Sequence, residues 1–317
     1  MVSEVVEDLQ GGGSPAEKNT MGRPRWRGWL AVVLALAPLT LAAQPTTLEN
    51  LFRESQGRDY QPPSPDELRQ AEQLFQRAFA GRIAAAEWAT LGFQVERVSE
   101  NTQVFTVIRE QPDWRRGCGF YVFAAPASPG APILQAPHAL SDQHTGAIAL
   151  HLFAGGQFAA GAWSTAPRRY QDDEDETVVD ADMAHQPNSY FTAFSRAAAL
   201  AQPASAILQL HGFSADKRKT EAGRVAGVIV SAGQRQPTPA AEQTARCLSE
   251  KLAEPVLLYP RDVRELGGLT NQIGRVLRTL GSAGFVHIEL AQPVREQLRV
   301  DAELRQRFGA CLARVQP

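Results

Sequence analysis

The spacing of apolar and polar positions changes several times along the chain, and each change predicts an element. Leu68, Ala71, Leu74, Phe75 and Phe79 recur every three or four residues, the spacing of one helix face. Ser64-Pro65-Asp66-Glu67 just ahead supplies a cap, a first-turn proline and a capping-box glutamate. An earlier helical stretch holds Leu48, Leu51 and Phe52, separated from the next by a proline-rich break at 62–65. From Phe93 the period falls to two, and 93–98, 102–109 and 119–125 read as strands forming an antiparallel edge. Short apolar runs at 133–136, 206–211, 226–231, 256–259 and 285–290 then alternate with helical patterns at 147–153, 190–201, 239–252, 270–280 and 293–315. That alternation predicts an α/β fold. The expected form is a mixed, mostly parallel sheet with helices on both faces, an N-terminal helical segment and antiparallel edge strands.

Composition narrows the picture. The chain has 317 residues, and its 44% hydrophobic content is ample for a core. With a net charge of −2 and arginines spread along the sequence, it lacks the basic footprint of a nucleic-acid-binding protein. Arg23, Arg25 and Arg27 precede an apolar run at 29–42 that ends in Ala42-Ala43-Gln44. A positive flank, a short apolar stretch and a small-residue cleavage site define a secretory signal peptide. The run is shorter than the ~20 residues that span a bilayer comfortably. No stable membrane span is therefore expected after cleavage. Residues 1–20 read as unstructured, with Met21 as an alternative start. The expected organisation is 1–43 as leader plus signal peptide, 44–115 as helical segment and edge strands, and 116–317 as the α/β domain, in a periplasmic or secreted protein. Cys118, Cys247 and Cys311 are too few for a disulfide scaffold, and no Cys-x-x-Cys offers a thiolate metal site. Cys247 and Cys311 lie in helical segments. They either pair in an oxidising compartment or remain buried thiols.

The candidate chemistry begins where the apolar run at 133–136 ends in Pro137-His138. A polar loop with Asp142 and His144 follows, placing two imidazoles and a carboxylate within seven residues. In open α/β sheets such strand-to-helix loops gather at the carboxyl ends of the strands, where ligands bind. A second apolar run ends in Leu210-His211-Gly212. A third, Phe285-Val286-His287-Ile288-Glu289-Leu290, puts His287 and Glu289 on one face and the aliphatic residues on the other. A glutamate inside such a strand is costly to bury unless it is paired, and burial raises its pKa toward that of a general base. The competing structural role is a salt bridge to Arg275 or Arg295. For Asp142 it is helix capping. Two histidines, one carboxylate and an open fourth position form a hydrolytic Zn2+ arrangement. The residues point to His138, Asp142 and His211 as metal ligands, with His144 as the alternative second ligand or a substrate contact. Glu289 is the candidate proton shuttle, and His287, on the same strand face, is a candidate substrate contact. Arg168 and Arg169 are candidates to clamp a substrate carboxylate. His151 reads as a buried structural histidine, and His185 is open. The acid-rich stretch 171–182, with seven acids in twelve positions, reads as a solvated loop.

The order of these residues resembles the zinc carboxypeptidase-like superfamily. That group includes N-formylglutamate amidohydrolases, succinylglutamate desuccinylases and cell-wall N-acetylmuramoyl-alanine amidases. The resemblance spans about 133–298. It implies zinc held by His138, Asp142 and His211, with Glu289 as general base or acid. The chain departs from the carboxypeptidases in having Asp for Glu and a His-x3-acid spacing in place of His-x2-Glu. The function so implied is an exported zinc-dependent hydrolase that cleaves an amide bond in a peptide or acyl-amino acid. Cell-wall material is suggested as substrate by location alone. The alternative is a non-catalytic periplasmic binding or scaffold protein that keeps the fold. A serine hydrolase is disfavoured because no Gly-x-Ser-x-Gly elbow is present.

Overall fold

Residues 46–125, 127–171 and 178–317 are described by a computed structural model. The expected leader and signal peptide, and the acids at 172–177, lie outside them. In the N-terminal part, α1 (Leu48–Ser55), α2 (Pro65–Phe79) and α3 (Ala85–Ala89) precede a run of strands. The capping box forms as its residues dictate. Ser64 Oγ accepts from Glu67 N at 3.2 Å, and the Glu67 carboxylate accepts from Ser64 N at 2.7 Å.

The period-two stretch becomes β1 (Phe93–Glu100), β2 (Gln103–Glu110) and β3 (Phe120–Ala125). These pair antiparallel, so the predicted edge is present. The α/β portion runs β4 (Ile133–Ala136), α4 (Thr145–Gly155), β5 (Ala160–Trp163), a small hairpin of β6 (Arg169–Gln171) and β7 (Val178–Asp180), and α5 (Tyr190–Ala201). It continues with β8 (Ile207–Phe213), α6 (Glu221–Val225), β9 (Val228–Ser231), α7 (Pro239–Lys251) and β10 (Val256–Leu258). The chain closes with α8 (Gln272–Thr279), β11 (Phe285–Ala291), α9 (Gln292–Val300) and α10 (Ala302–Leu312).

Nine of these strands form one sheet in the order β1-β2-β3-β5-β4-β8-β11-β9-β10. The four central strands β5, β4, β8 and β11 are mutually parallel, as are β9 and β10 at the far edge. The β1–β2, β2–β3, β3–β5 and β11–β9 pairs are antiparallel. The mixed sheet is the one expected. Its parallel part is concentrated in the centre, and the antiparallel share is larger than the strand–helix alternation suggested. Strand β5 has no counterpart in the apolar pattern because Ala-Gly-Ala-Trp carries little β preference of its own. Pairing with β3 and β4 holds it in place. Gly161 is needed there, since a Cβ would stand 2.6 Å from the Trp163 ring.

Strand alternation divides the core. Leu134, Ala136, Leu208, Leu210, Val286, Ile288 and Leu290 pack with residues of α4, α7, α9 and α10 on one face. Ile133, Ile207 and Phe285 pack with residues of α2, α5 and α8 on the other. Each such aliphatic side chain contributes about 1.5–3 kcal/mol when fully buried. By the same alternation, Gln135, Gln209, His211, His287 and Glu289 all project to the second face. A stripe of polar groups thus crosses the middle of an apolar sheet.

Cys247 on α7 and Cys311 on α10 form a disulfide, and Cys118 is a free, buried thiol. Among the described residues no helix is long and apolar enough to cross a membrane. The disulfide bridges 64 positions of sequence. Loop-closure entropy for a span of that size corresponds to roughly 4 kcal/mol. Reduction, or Cys247→Ser with Cys311→Ser, is expected to lower the unfolding free energy in urea by an amount of that order. An unchanged midpoint would show that the two sulfurs are not joined in solution.

Candidate metal centre

The loop between β4 and α4 folds back on itself. Both Ser141 N and Asp142 N donate to the carbonyl of His138, at 3.0 and 2.9 Å, and Thr145 N donates to the carbonyl of Asp142. Gly146 allows α4 to press on this loop, since a Cβ there would stand 2.7 Å from the Ala139 carbonyl oxygen. Asp142 does not cap the helix with its side chain. The position before Thr145 is His144, at φ 70°, with no side-chain cap bond. The Asp142 carboxylate instead turns to the sheet, where Oδ2 accepts from Gly212 N at 2.9 Å and lies 3.2 Å from His138 Nδ1.

His211 does not end its strand, because β8 continues through Gly212 to Phe213. Gly212 serves close approach, not a turn: a Cβ would stand 2.8 Å from the Arg295 guanidinium. The His211 ring lies edge-on to His138, with Nδ1 facing Nδ1 at 3.2 Å. Asp142 Oδ2 is 3.8 Å from His211 Nδ1.

The partners of the other ring nitrogens fix what these atoms are. His138 Nε2 donates to Asp182 Oδ1 at 2.8 Å, and His211 Nε2 donates to Gln209 Oε1 at 3.2 Å. With both protons on Nε2, each neutral ring presents a bare Nδ1 lone pair to the other ring and to a carboxylate oxygen. In that state the three atoms present lone pairs to one another, Asp142 Oδ2 also accepting from Gly212 N. Donors ~2.0–2.1 Å from a tetrahedral zinc stand about 3.3–3.4 Å apart; the two 3.2 Å separations lie near that value and the 3.8 Å one is wider. His138, Asp142 and His211 are therefore able to hold such an ion.

Without an ion, a proton substitutes for it. Burial disfavours the His138 imidazolium, but hydrogen bonds to Asp142 and Asp182 outweigh burial and push it up to about 9. Burial, followed by the charges of His287 and His138, holds His211 well below the ordinary histidine value. Asp182 is itself buried against ionisation, yet hydrogen bonds from His138 and His185 keep it well below the usual carboxylate range. Arg168 Nε donates to the same carboxylate at 2.6 Å, and His185 Nδ1 lies 3.0 Å from it. Asp182 is the functional residue that the sequence reading missed. It ends an acidic stretch that reads as solvent-facing, yet it is 2% exposed and braces a histidine. The signal available was that Ala181, Met183 and Ala184 flank it with small and apolar side chains.

Glu289 is the in-register partner of His211 on the neighbouring strand. Its expected structural alternative does not form, since neither Arg275 nor Arg295 makes an ion pair with it. The Arg295 guanidinium binds the carbonyls of Phe213 and Leu290 instead. Glu289 Oε2 is buried without a hydrogen-bond partner. Burial, reinforced by the Asp142 charge, pushes its pKa up to about 8. His287 Nε2 is 3.6 Å from Glu289 Oε1, and its ring packs on His211 with centroids 4.4 Å apart. Burial first, then the His138 charge, pushes His287 down to about 3, so it is neutral at working pH. His211, His287 and Glu289 also bring ligand atoms within 4.8 Å of one another.

These groups open into a cleft of about 410 Å³, lined also by Arg168, His185, Tyr259, Arg264, Leu266 and Leu269. Gly268 forms part of that lining at φ 62°, where a Cβ would stand 3.0 Å from the His287 ring. His144 and Arg169 are not among the residues lining the cleft. His151 is exposed and lies 3.5 Å from Glu49, not in the core as its apolar helix suggested. Ser214 donates to Asp216, with no histidine partner.

No protein-family model and no curated relative matches the chain. Among solved structures it is similar to N-formylglutamate amidohydrolase from Ralstonia eutropha JMP134, at 14% identity over 62% of this chain and 96% of that one, with TM-score 0.42. A bacteriophage poly-gamma-glutamate hydrolase is similar at 10% identity over 59% of this chain and 83% of that one, with TM-score 0.35. A candidate metallopeptidase from Shewanella amazonensis SB2B is similar at 11% identity over 75% and 92% of the two chains, with TM-score 0.33.

At pH 7 His138 and Glu289 are both protonated in the ion-free site. Ion binding requires His138 to lose its proton, so affinity falls about tenfold per unit as pH drops below 9. In Glu289→Gln, titration calorimetry in buffers of different ionisation enthalpy is expected to show about one proton released per zinc at pH 7. Uptake with no proton release would contradict this protonation scheme.

Proposed function

We propose that the chain is an exported zinc-dependent hydrolase of an amide bond in a peptide or acyl-amino acid. The observation that carries this reading is the convergence of His138 Nδ1, His211 Nδ1 and Asp142 Oδ2 within 3.2–3.8 Å of one another at the edge of the cleft. A divalent ion there supplies Lewis acidity and an activated water.

The chain's own groups account for the remaining chemistry. Glu289 carries a free, buried carboxyl oxygen next to the metal ligands, with a pKa near 8. A carboxyl so poised exchanges protons readily near neutral pH, taking one from water and returning it to the departing amine. His287, neutral and with Nε2 3.6 Å from Glu289 Oε1, lines the cleft beside Glu289 without adding charge. Asp182 accepts from Arg168 Nε; among the described residues the guanidinium's two terminal amino groups have no hydrogen-bond partner, and they are suited to a substrate carboxylate. Export is supported by the signal-peptide pattern and by the Cys247–Cys311 disulfide, a bond that persists in oxidising compartments. Cell-wall-derived peptides are one substrate source that such a location would provide.

Purified protein is expected to hold about one zinc per chain, and His138→Ala and His211→Ala each to abolish it, measured by elemental analysis. Full occupancy in both variants would overturn the assignment. Glu289→Gln is expected to keep its zinc while hydrolysis of N-acyl-amino acids and short peptides falls by about 10²–10⁴-fold. Wild-type turnover unaffected by a chelator would contradict the metal mechanism.

A further inference from the structure

Beneath His211 the sheet carries polar side chains where apolar ones would be expected. Strands β4 and β8 each open Ile-Leu-Gln, and the two glutamines, Gln135 and Gln209, are cross-strand partners with no exposed surface. Gln209 Nε2 donates to Gln135 Oε1 at 2.9 Å, and Gln135 Nε2 donates to Ser195 Oγ at 2.9 Å. Ser195 Oγ donates in turn to the carbonyl of Phe191 at 2.8 Å. At the other end Asn271 Nδ2 donates to Gln209 Oε1 at 2.7 Å, while Asn271 Oδ1 accepts from Gly274 N at 3.1 Å.

The direction of this chain is dictated by two backbone groups. The Phe191 carbonyl can only accept, so the Ser195 hydroxyl proton is committed to it and Ser195 Oγ must accept from Gln135. Gln135 therefore shows its amino group to Ser195 and its oxygen to Gln209, which in turn must show its amino group to Gln135. Independently, Gly274 N can only donate, so Asn271 turns its oxygen there and its amino group toward Gln209. Both constraints leave Gln209 Oε1 facing His211 Nε2, 3.2 Å away. A ring nitrogen facing an amide oxygen must carry the proton.

We infer that Ser195, Gln135, Gln209 and Asn271 form a tautomer lock. It holds the proton of His211 on Nε2 and so presents a bare Nδ1 to the metal centre. These four are positioning residues. They act on the imidazole alone, and the order of their hydrogen bonds is set by the Phe191 carbonyl and the Gly274 amide. The consequence for metal binding rests on the zinc reading above, whereas the tautomer itself does not.

The test is nitrogen-15 NMR of the imidazoles in metal-free, histidine-labelled protein at pH 8, combined with zinc affinity from chelator competition. Wild type is expected to show His211 with a protonated Nε2 and an unprotonated Nδ1. Gln209→Met removes the acceptor, and is expected to shift His211 toward the Nδ1-protonated form and weaken zinc binding by about 10–100-fold. Gln209→Glu restores an acceptor, and is expected to recover the wild-type tautomer. Asn271→Asp combined with Ser195→Ala keeps the helix cap but removes both constraints, so Gln209 turns its amino group to the Asp oxygen, Gln135 turns with it, and His211 moves to the Nδ1-protonated form. That variant decides the matter if Gln209→Met fails to fold. An Nδ1-protonated His211 in wild type, or an unchanged tautomer in the folded variants, would overturn the inference. If wild type shows the expected tautomer yet binds no zinc, the lock stands and the metal reading falls.

Discussion

The structure depends on an arrangement that repels itself when empty. Two imidazole lone pairs and a carboxylate oxygen are held 3.2–3.8 Å apart on a buried rim. In water they would separate. Here each is tied from behind: His138 by Asp182, His211 by Gln209, and Asp142 by the amide of Gly212. Because the constraint comes from outside the cluster, the cluster cannot relax by rotating a ring. A positive charge relieves it. In the ion-free protein His138 supplies that charge: burial disfavours its cation, but hydrogen bonds to Asp142 and Asp182 push its pKa up to about 9.

The sheet makes this possible through two simple rules. Parallel strands bring their carboxyl ends to one edge, so His138 just past β4, His211 on β8 and Glu289 on β11 meet despite being far apart in sequence. Period two then sends Gln209, His211, His287 and Glu289 to the same face, while Leu210, Ile288 and Leu290 secure the other. The register matters as much as the composition. A slip of one residue in β11 would turn Glu289 into the aliphatic core and leave His211 without its neighbour.

Much of this was legible in the chain itself. The central strands stood out as short apolar runs, and the polar residues interrupting them stood out for the same reason. His138, His211 and Glu289 could be singled out because each breaks an apolar pattern at a strand end or on a strand face, and Asp142 because its polar loop follows His138 directly. Asp182 could not, because its acidic surroundings mask it and its burial is decided by packing against a distant loop. Strand β5 escaped because Ala160, Gly161 and Ala162 have no pattern to read. The roles of Gln135 and Gln209 were equally hidden, since a hydrogen-bond direction depends on partners from α5 and α8. The candidate ligands are local signals, whereas the groups that orient them are tertiary ones.

The proposed function requires one ion where His138 Nδ1, His211 Nδ1 and Asp142 Oδ2 converge. The most direct measurement is anomalous diffraction at the zinc edge from crystals of the metal-loaded protein. The account predicts a single strong peak about 2.0–2.2 Å from His138 Nδ1, His211 Nδ1 and Asp142 Oδ2. A peak elsewhere, or none at this position in protein shown to contain zinc, would contradict it.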